Sequence, residues 1–258
     1  MNYIGIDIGS TCAKTAVLNE KKEIIQEFVQ PTGCSSVDTA EEILQKLKLA
    51  GISLSDDSSC CVATGYGRIS VPYADKAVTE ITCHALGAVH LFQQPDLTVI
   101  DIGGQDTKII QIEQGCVKDF IMNDKCAAGT GRFLEVMANT LSLRPNEMFD
   151  LARLGSDTTI SSMCTVFAES EVIGLIGKGE PKENIAYAVV DSTIRKVAAQ
   201  VSRMNGEMST FCLTGGLCEC EYIREALSKK LGKEVISSPD ARYAGAIGAA
   251  LRAMKIRK

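Results

Sequence analysis

Apolar and polar positions alternate along the chain in two patterns, one typical of strands and one of helices. Short apolar runs bounded by turn residues predict strands over residues 3–8, 16–18, 24–29, 60–63, 97–100, 108–112, 116–122 and 210–213. Apolar residues at helical spacing predict helices over residues 37–49, 82–92, 181–204, 221–231 and 241–254. The mixture of both element types predicts an α/β fold.

One motif occurs twice in this pattern. A strand ending in Asp7-Ile8-Gly9 is followed by two more strands, and the same order follows Asp101-Ile102-Gly103, 94 residues further on. An internal duplication of this kind predicts two similar α/β lobes. The turn signal at residues 93–96 then places a first lobe at 1–94 and a second at 95–239.

The last predicted helix has a face of small residues, Ala244, Gly245, Gly248 and Ala249. Such a face can lie very close to another backbone, because no bulky side chain keeps the two apart. We expect residues 240–258 to return to the first lobe and complete it.

Composition excludes several classes of protein. The 258 residues are 45% hydrophobic and 23% charged, with a net charge of −5, which argues against nucleic-acid binding. No apolar run approaches the roughly 20 residues that span a bilayer, so no membrane partner is expected. Asp7 interrupts the first apolar stretch, which argues against a signal peptide and favours a cytoplasmic protein.

The cysteine count is high, at eleven, and we expect free thiols in a reducing compartment. No C-x-x-C pair occurs, which argues against a zinc ribbon or a thioredoxin-type site. Most of the eleven are interpreted as small buried hydrophobic residues.

Two cysteines stand out because each precedes a helical run. Cys126 comes directly before a run that includes Phe133 and Met137, and Cys164 comes before a second run. A helix start favours a thiolate through its dipole and free N–H groups. Two sulfurs cannot complete a metal site, but two copies of the chain supply four. The hypothesis is an iron–sulfur cluster shared across a homodimer axis, and the alternative is a pair of inert core cysteines.

The two Asp-Ile-Gly turns suit magnesium–phosphate chemistry. An Asp at the end of a buried strand can hold a hydrated cation, and glycines let backbone N–H groups approach phosphate oxygens. The alternative is that Gly9 and Gly103 are only hairpin glycines. A third glycine turn, residues 214–217, favours the nucleotide interpretation.

These three turns resemble the two phosphate motifs and the adenosine motif of the actin, sugar-kinase and heat-shock-chaperone ATPase superfamily. That resemblance implies two ribonuclease-H-like lobes facing each other across a nucleotide cleft. Residues 101–106, 123–135 and 161–171 are more specifically similar to the activator ATPases of 2-hydroxyacyl-CoA dehydratases, a group that includes the ATPase subunits of benzoyl-CoA reductase. The resemblance covers essentially the whole chain.

The family resemblance implies ATP or ADP with Mg²⁺ as ligands. It implies catalytic roles for Gln105, Asp7 and Asp101, with both aspartates holding magnesium through water. Cys126 and Cys164 match the ligands of one [4Fe–4S] cluster per homodimer. The residues expected to contact the nucleotide are Gly9, Ser10, Thr11, Lys14, Gly103, Gly104, Asp106, Thr107, Gly129, Glu135, Gly215 and Gly216.

The implied function is ATP-dependent electron transfer in an anaerobic setting. The partner would be an (R)-2-hydroxyacyl-CoA dehydratase or a related acyl-CoA reductase component, and the donor a ferredoxin or flavodoxin. Two alternatives remain open: a small-molecule kinase of the same fold, and a zinc-bridged dimer in which the nucleotide acts only as a switch.

Overall fold

The structure, a computed structural model, describes residues 1–54, 58–161, 164–204 and 210–256. Within these residues it contains two five-stranded sheets. The strands are β1 (Asn2–Ile8), β2 (Cys12–Leu18), β3 (Ile24–Pro31), β4 (Ser59–Thr64), β5 (Lys76–Ala77), β6 (Leu97–Ile102), β7 (Thr107–Glu113), β8 (Cys116–Asn123), β9 (Thr210–Gly215) and β10 (Val235–Ile236). The helices are α1 (Ser36–Leu49), α2 (Glu80–Phe92), α3 (Gly131–Thr140), α4 (Pro145–Ala152), α5 (Thr165–Gly177), α6 (Lys182–Val201), α7 (Glu221–Leu231) and α8 (Ala244–Ile256).

The first sheet has the strand order β3-β2-β1-β4-β5. Its central strand β1 pairs antiparallel with β2 and parallel with β4. This register places Asp7 opposite Lys14 on one side and opposite Thr64 on the other. Asp7, the second-last residue of β1, therefore lies at the centre of the sheet edge.

The second sheet repeats this order. Taken from its β8 side it runs β8-β7-β6-β9-β10, so β6 occupies the place that β1 has in the first sheet. The predicted α/β class and the internal duplication are thereby confirmed. Asp101, near the end of β6, is the counterpart of Asp7.

Contacts between Cα atoms divide the chain into two compact units. One comprises Met1–Leu97, Ile110–Lys118 and Ser238–Lys258, and the other comprises Thr98–Ile109 and Asp119–Ser237. In the first, Ile4, Ile6 and Ile43 are fully buried, and in the second Met137 and Val189 are. The lobe boundaries given above remain predictions.

The small-residue face of α8 packs directly against backbone, as predicted. A Cβ atom on Gly248 would lie 1.6 Å from the carbonyl oxygen of Cys83 in α2. A Cβ atom on Gly5 in β1 would lie 1.8 Å from the carbonyl oxygen of Ala246. Only glycine permits these approaches, which join α8 to both β1 and α2.

Three elements escaped prediction: β5, β10 and α4. The two strands have only two residues each, too few to show a periodicity. Helix α4 begins with Pro145 at its first turn, and the Glu147 carboxylate accepts the backbone N–H of Arg144 at 2.7 Å. Both are recognised start signals, so the sequence did carry the information. None of the helices in the described ranges has the length and apolar character needed to cross a membrane.

Candidate functional site

The turn after β1 presents two hydroxyl groups to solvent. The Gly9 N–H donates to the carbonyl oxygen of Cys12 at 3.1 Å, and the Thr32 hydroxyl donates to the Gly9 carbonyl oxygen at 2.8 Å. These bonds fix the turn, at whose tip Ser10 and Thr11 are exposed. A fixed turn with exposed hydroxyl groups can receive a phosphate oxygen.

Two glycines clear the space around the Asp7 carboxylate, which is only 3% exposed. A Cβ atom on Gly65 would lie 2.3 Å from Asp7 Oδ1, and one on Gly245 would lie 2.4 Å from Oδ2. Any other residue at either position would displace the carboxylate. Gly65 was not among the predicted site residues.

The turn after β6 repeats the first one. The Gly103 N–H donates to the carbonyl oxygen of Asp106 at 2.9 Å, just as Gly9 does to Cys12. Gly104 is half-buried, and Gln105 is exposed at the tip, without a hydrogen bond within the described part of the chain. The Gln105 amide is therefore available to a ligand or a water molecule.

Lys108 is a site residue that the sequence analysis missed. It is 1% exposed, and its Nζ lies 3.2 Å from Asp101 Oδ2 and 2.8 Å from Asp106 Oδ2. A buried ammonium needs such carboxylate partners. The signal was present, because a lysine follows the aspartate by seven positions in both copies, as Lys14 and as Lys108.

The end of β9 lies against Asp101. The Thr214 hydroxyl donates to Asp101 Oδ1 at 3.1 Å, and a Cβ atom on Gly215 would lie 2.6 Å from the same oxygen. Gly215 has a φ of +83°, the same as Gly65, which occupies the same place beside Asp7. The duplication therefore extends to the glycine that packs on each aspartate, while Gly216 has open space around its α-carbon.

Cys126 lies in a loop and not at a helix start, which corrects the prediction. Helix α3 begins at Gly131 with Thr130 as its N-cap, so residues 127–130 separate the cysteine from the helix. The loop is held in place by Asn123, whose Nδ2 donates to the carbonyl oxygen of Cys126 at 2.8 Å. The half-buried Sγ instead lies 3.8 Å from the Nζ atom of Lys196.

Three hydrogen bonds join residues 129–132, at the end of this loop and the start of α3, to residues 103–107, which form the turn after β6 and the start of β7. The N–H of Gly131 donates to the Gly103 carbonyl oxygen at 2.9 Å, and that of Arg132 to the Gly104 carbonyl oxygen at 2.8 Å. The buried Thr107 hydroxyl donates to the Gly129 carbonyl oxygen at 2.7 Å. The segment that follows Cys126 is thus bonded directly to the second predicted phosphate turn.

Cys164 does lie at a helix start, as predicted. It is the exposed N-cap residue of α5, and its carbonyl oxygen accepts the N–H of Ala168 at 2.9 Å. The helix that it begins exposes large apolar side chains: Val166, Phe167, Ile173 and Ile176. In α3, which packs against α5, the Glu135 carboxylate accepts a hydrogen bond from Arg132 at 2.8 Å.

The remaining cysteines are less uniformly buried than predicted. None of the eleven is in a disulfide bond, but only Cys60, Cys61, Cys83, Cys212 and Cys218 are buried. Burial raises the pKa of the Cys83 thiol to about 11, and burial also raises the pKa values of Cys61 and Cys212. These thiols are protonated at neutral pH, which makes them poor metal ligands.

Comparison with known proteins assigns the chain to a class. The model of the BadF/BadG/BcrA/BcrD ATPase family matches residues 4–253. The (R)-2-hydroxyglutaryl-CoA dehydratase activating ATPase of Acidaminococcus fermentans is 44% identical, over 98% of this chain and 96% of that protein. The chain therefore belongs to the BadF/BadG/BcrA/BcrD ATPase family, and the resemblance to the activator ATPases is confirmed.

Solved structures agree with this assignment. The crystal structure of component A of (R)-2-hydroxyglutaryl-CoA dehydratase from A. fermentans superposes with a TM-score of 0.92 at 41% identity, over 100% of both chains. The activator of 2-hydroxyisocaproyl-CoA dehydratase from Clostridium difficile, with bound ADPNP, gives a TM-score of 0.89 at 34% identity, over 99% of this chain and 95% of that one. The actin-like ATPase fold is thereby established.

Proposed function

We propose that this protein is an ATP-hydrolysing electron-transfer activator. It would reduce a partner (R)-2-hydroxyacyl-CoA dehydratase, or a related acyl-CoA reductase, with electrons received from a ferredoxin or flavodoxin. The relatives named as dehydratase activators support the type of partner. The structural observation that carries the proposal is the hydrogen-bonded connection between the second phosphate turn and the segment that follows Cys126.

The nucleotide would be bound by glycine turns of the two sheets. Ser10 and Thr11 offer hydroxyl donors, and Lys14 offers a charge on the strand beside Asp7. The relative with bound ADPNP supports nucleotide binding. The other proposed contacts are Gly9, Gly103, Gly104, Asp106, Thr107, Gly129, Glu135, Gly215 and Gly216.

Asp7 and Asp101 are the candidates for holding Mg²⁺. Both are the second-last residue of the central strand of a sheet, and magnesium usually keeps several of its own waters. The Asp101 oxygens already accept hydrogen bonds from Lys108 and Thr214, so Asp101 would act through water. Gln105 would orient the attacking water, and since an amide is a poor base we expect slow hydrolysis.

Cys126 and Cys164 fit the proposed cluster by chemistry and exposure. A [4Fe–4S] cluster takes four thiolates, and a two-fold axis turns two cysteines into four. Cys164 is exposed and Cys126 half-buried, so neither sulfur is sealed in the core. When bound, the cluster supplies a one-electron carrier.

The exposed apolar side chains of α5 support a second copy of the chain as the partner at this surface. Val166 and Phe167 are each 67% exposed, and they follow Cys164 immediately. Contiguous exposed apolar surface of this kind marks an interaction site. A homodimer formed through this α5 surface would also bring the Cys126 and Cys164 thiols of the second chain close to those of the first.

The hydrogen bonds of Gly131 and Thr107 provide a route from nucleotide to sulfur. A change in the phosphate turn on hydrolysis moves Gly103 and Gly104, and the bonded loop must follow or lose those bonds. Either response alters the surroundings of Cys126. Through this coupling, ATP hydrolysis would drive the electron to a lower potential than the donor reaches.

The test is the electron-transfer rate to the dehydratase, with ATP and with ADP, using protein purified without oxygen. The proposal predicts fast transfer with ATP only, together with iron and acid-labile sulfide in the protein. Equal electron-transfer rates with ATP and with ADP would refute the coupling. Colourless protein loaded with zinc would support the zinc-bridged switch, and phosphorylation of a small acceptor without iron would support the kinase.

A further inference from the structure

The Lys196 side chain lies against the Cys126 loop along its whole length. Its ammonium nitrogen is 3.8 Å from Cys126 Sγ, within the range of a hydrogen bond to sulfur. A Cβ atom on Gly129 would lie 2.9 Å from Lys196 Cγ, and Gly129 has a φ of +84°. A glycine is therefore required where the loop crosses the lysine stem.

The loop is fixed on the side of the sulfur as well. Asn123 Nδ2 donates to the carbonyl oxygen of Cys126 at 2.8 Å, and the Thr130 hydroxyl donates to that of Ala127 at 2.5 Å. These bonds hold the cysteine backbone while α6 holds the lysine. The distance between Lys196 Nζ and Cys126 Sγ is thus set by packing on both sides.

The surroundings of Lys196 are positively charged. It borders a cavity of about 520 Å³ whose lining also includes Arg195 and Arg203 and, among the described residues, contains no Asp or Glu. The Arg195 Nε is paired with Asp191 at 3.0 Å. Lys196 makes no ion pair with a carboxylate within the described ranges, so the Cys126 sulfur is the polar group that its ammonium faces.

We propose that Lys196 sets the reduction potential of the cluster through the Cys126 sulfur, an inference that rests on the proposed function. A cation that donates to a ligand sulfur stabilises the more negative, reduced state more than the oxidised state, and so raises the potential. On reduction, the donor protein would give up one electron to the cluster. A two-fold axis places two such lysines at one cluster. Lys196 is a positioning residue here and contacts no substrate.

The test is a redox titration of the anaerobic dimer, followed by electron paramagnetic resonance, with iron analysis of every sample. In Lys196→Met we expect the reduction equilibrium to shift at least tenfold toward the oxidised form, about 59 mV for one electron. Lys196→Arg keeps the charge and should restore most of the potential. Lys125→Met removes an exposed cation next to Cys126 in sequence and should leave the potential unchanged.

Several outcomes would overturn this role. One is a Lys196→Met protein that keeps its iron and titrates like the Lys125→Met protein. If Lys196→Met loses its iron, the same redox titration is made on Lys196→Gln, whose amide keeps a neutral hydrogen-bond donor. Loss of iron in both, with retention in Lys196→Arg, would show a structural role instead. Wild-type protein without iron would refute the proposed function itself, which is a different result.

Discussion

Gly131 donates its backbone N–H to the carbonyl oxygen of Gly103 across 2.9 Å. The first of these residues begins helix α3 behind the Cys126 loop, and the second lies in the second proposed phosphate turn. The contact is close, since a Cβ atom on Gly131 would lie 3.2 Å from that same oxygen. Together with the hydrogen bond from Arg132 to Gly104, it joins the two proposed sites, for nucleotide and for cluster, that the proposed function has to couple.

The Thr107 hydroxyl adds a third hydrogen bond to this junction. Its removal should weaken the coupling between the nucleotide turn and the Cys126 loop. Thr107→Val deletes a buried donor to the Gly129 carbonyl oxygen, at a cost of about 1–3 kcal/mol. We expect the ATP-dependent gain in electron-transfer rate to fall, which stopped-flow spectroscopy with the dehydratase would measure. Calorimetry should show whether nucleotide affinity is retained.

The matched control is Thr15→Val. The Thr15 hydroxyl is also buried but has no hydrogen-bond partner within the described residues, so its loss should be neutral or stabilising. If Thr107→Val and Thr15→Val behave alike in electron transfer, the Thr107 hydrogen bond does not contribute to coupling.

Lys108 should be important for stability as well as for the site. Lys108→Met leaves two carboxylates, Asp101 and Asp106, without their buried cation, and breaking such a pair costs about 3–5 kcal/mol. Urea denaturation of the full chain measures the loss. The double variant Lys108→Met with Asp101→Asn should recover part of it, and an additive loss would argue against the pairing.

The small face of α8 tolerates no added methyl group. In Gly248→Ala the new Cβ would lie 1.6 Å from the Cys83 carbonyl oxygen, so α8 and α2 must separate. We expect a loss of about 1–3 kcal/mol, the usual cost of overpacking. Gly174→Ala in α5, which has no atom within 4 Å of the new Cβ, should gain about 0.5–1 kcal/mol in thermal unfolding experiments.

Local sequence patterns predicted most strands and helices because each carries enough residues to show a period. Helix α7, predicted over residues 221–231, is observed as Glu221–Leu231. The Cys126 loop was misjudged because Ala127 and Ala128 suit a helix, while Gly129 adopts a positive φ in a tight turn that the Thr130 N–H closes on the Ala127 carbonyl oxygen. Lys108 was missed although the Asp–Lys spacing repeats in the sequence, because that spacing alone does not show that the lysine is buried between two carboxylates.

Cysteine reactivity should follow burial. The raised pKa values of Cys61, Cys83 and Cys212 keep these thiols protonated at pH 8, so iodoacetamide should not modify them in the folded apo protein. The exposed Cys34 and Cys164 should react. Mass spectrometry of the digested protein identifies which cysteines are labelled. Early labelling of Cys212 would contradict its assignment as a buried thiol.

The central claim is tested most directly by iron and acid-labile sulfide analysis of the anaerobically purified protein. We predict about four irons per dimer in the wild type, and their loss in Cys126→Ser and in Cys164→Ser. Cys34→Ser, which removes an exposed thiol outside the proposed site, should keep its iron. Full iron content in either of the first two variants would contradict the account.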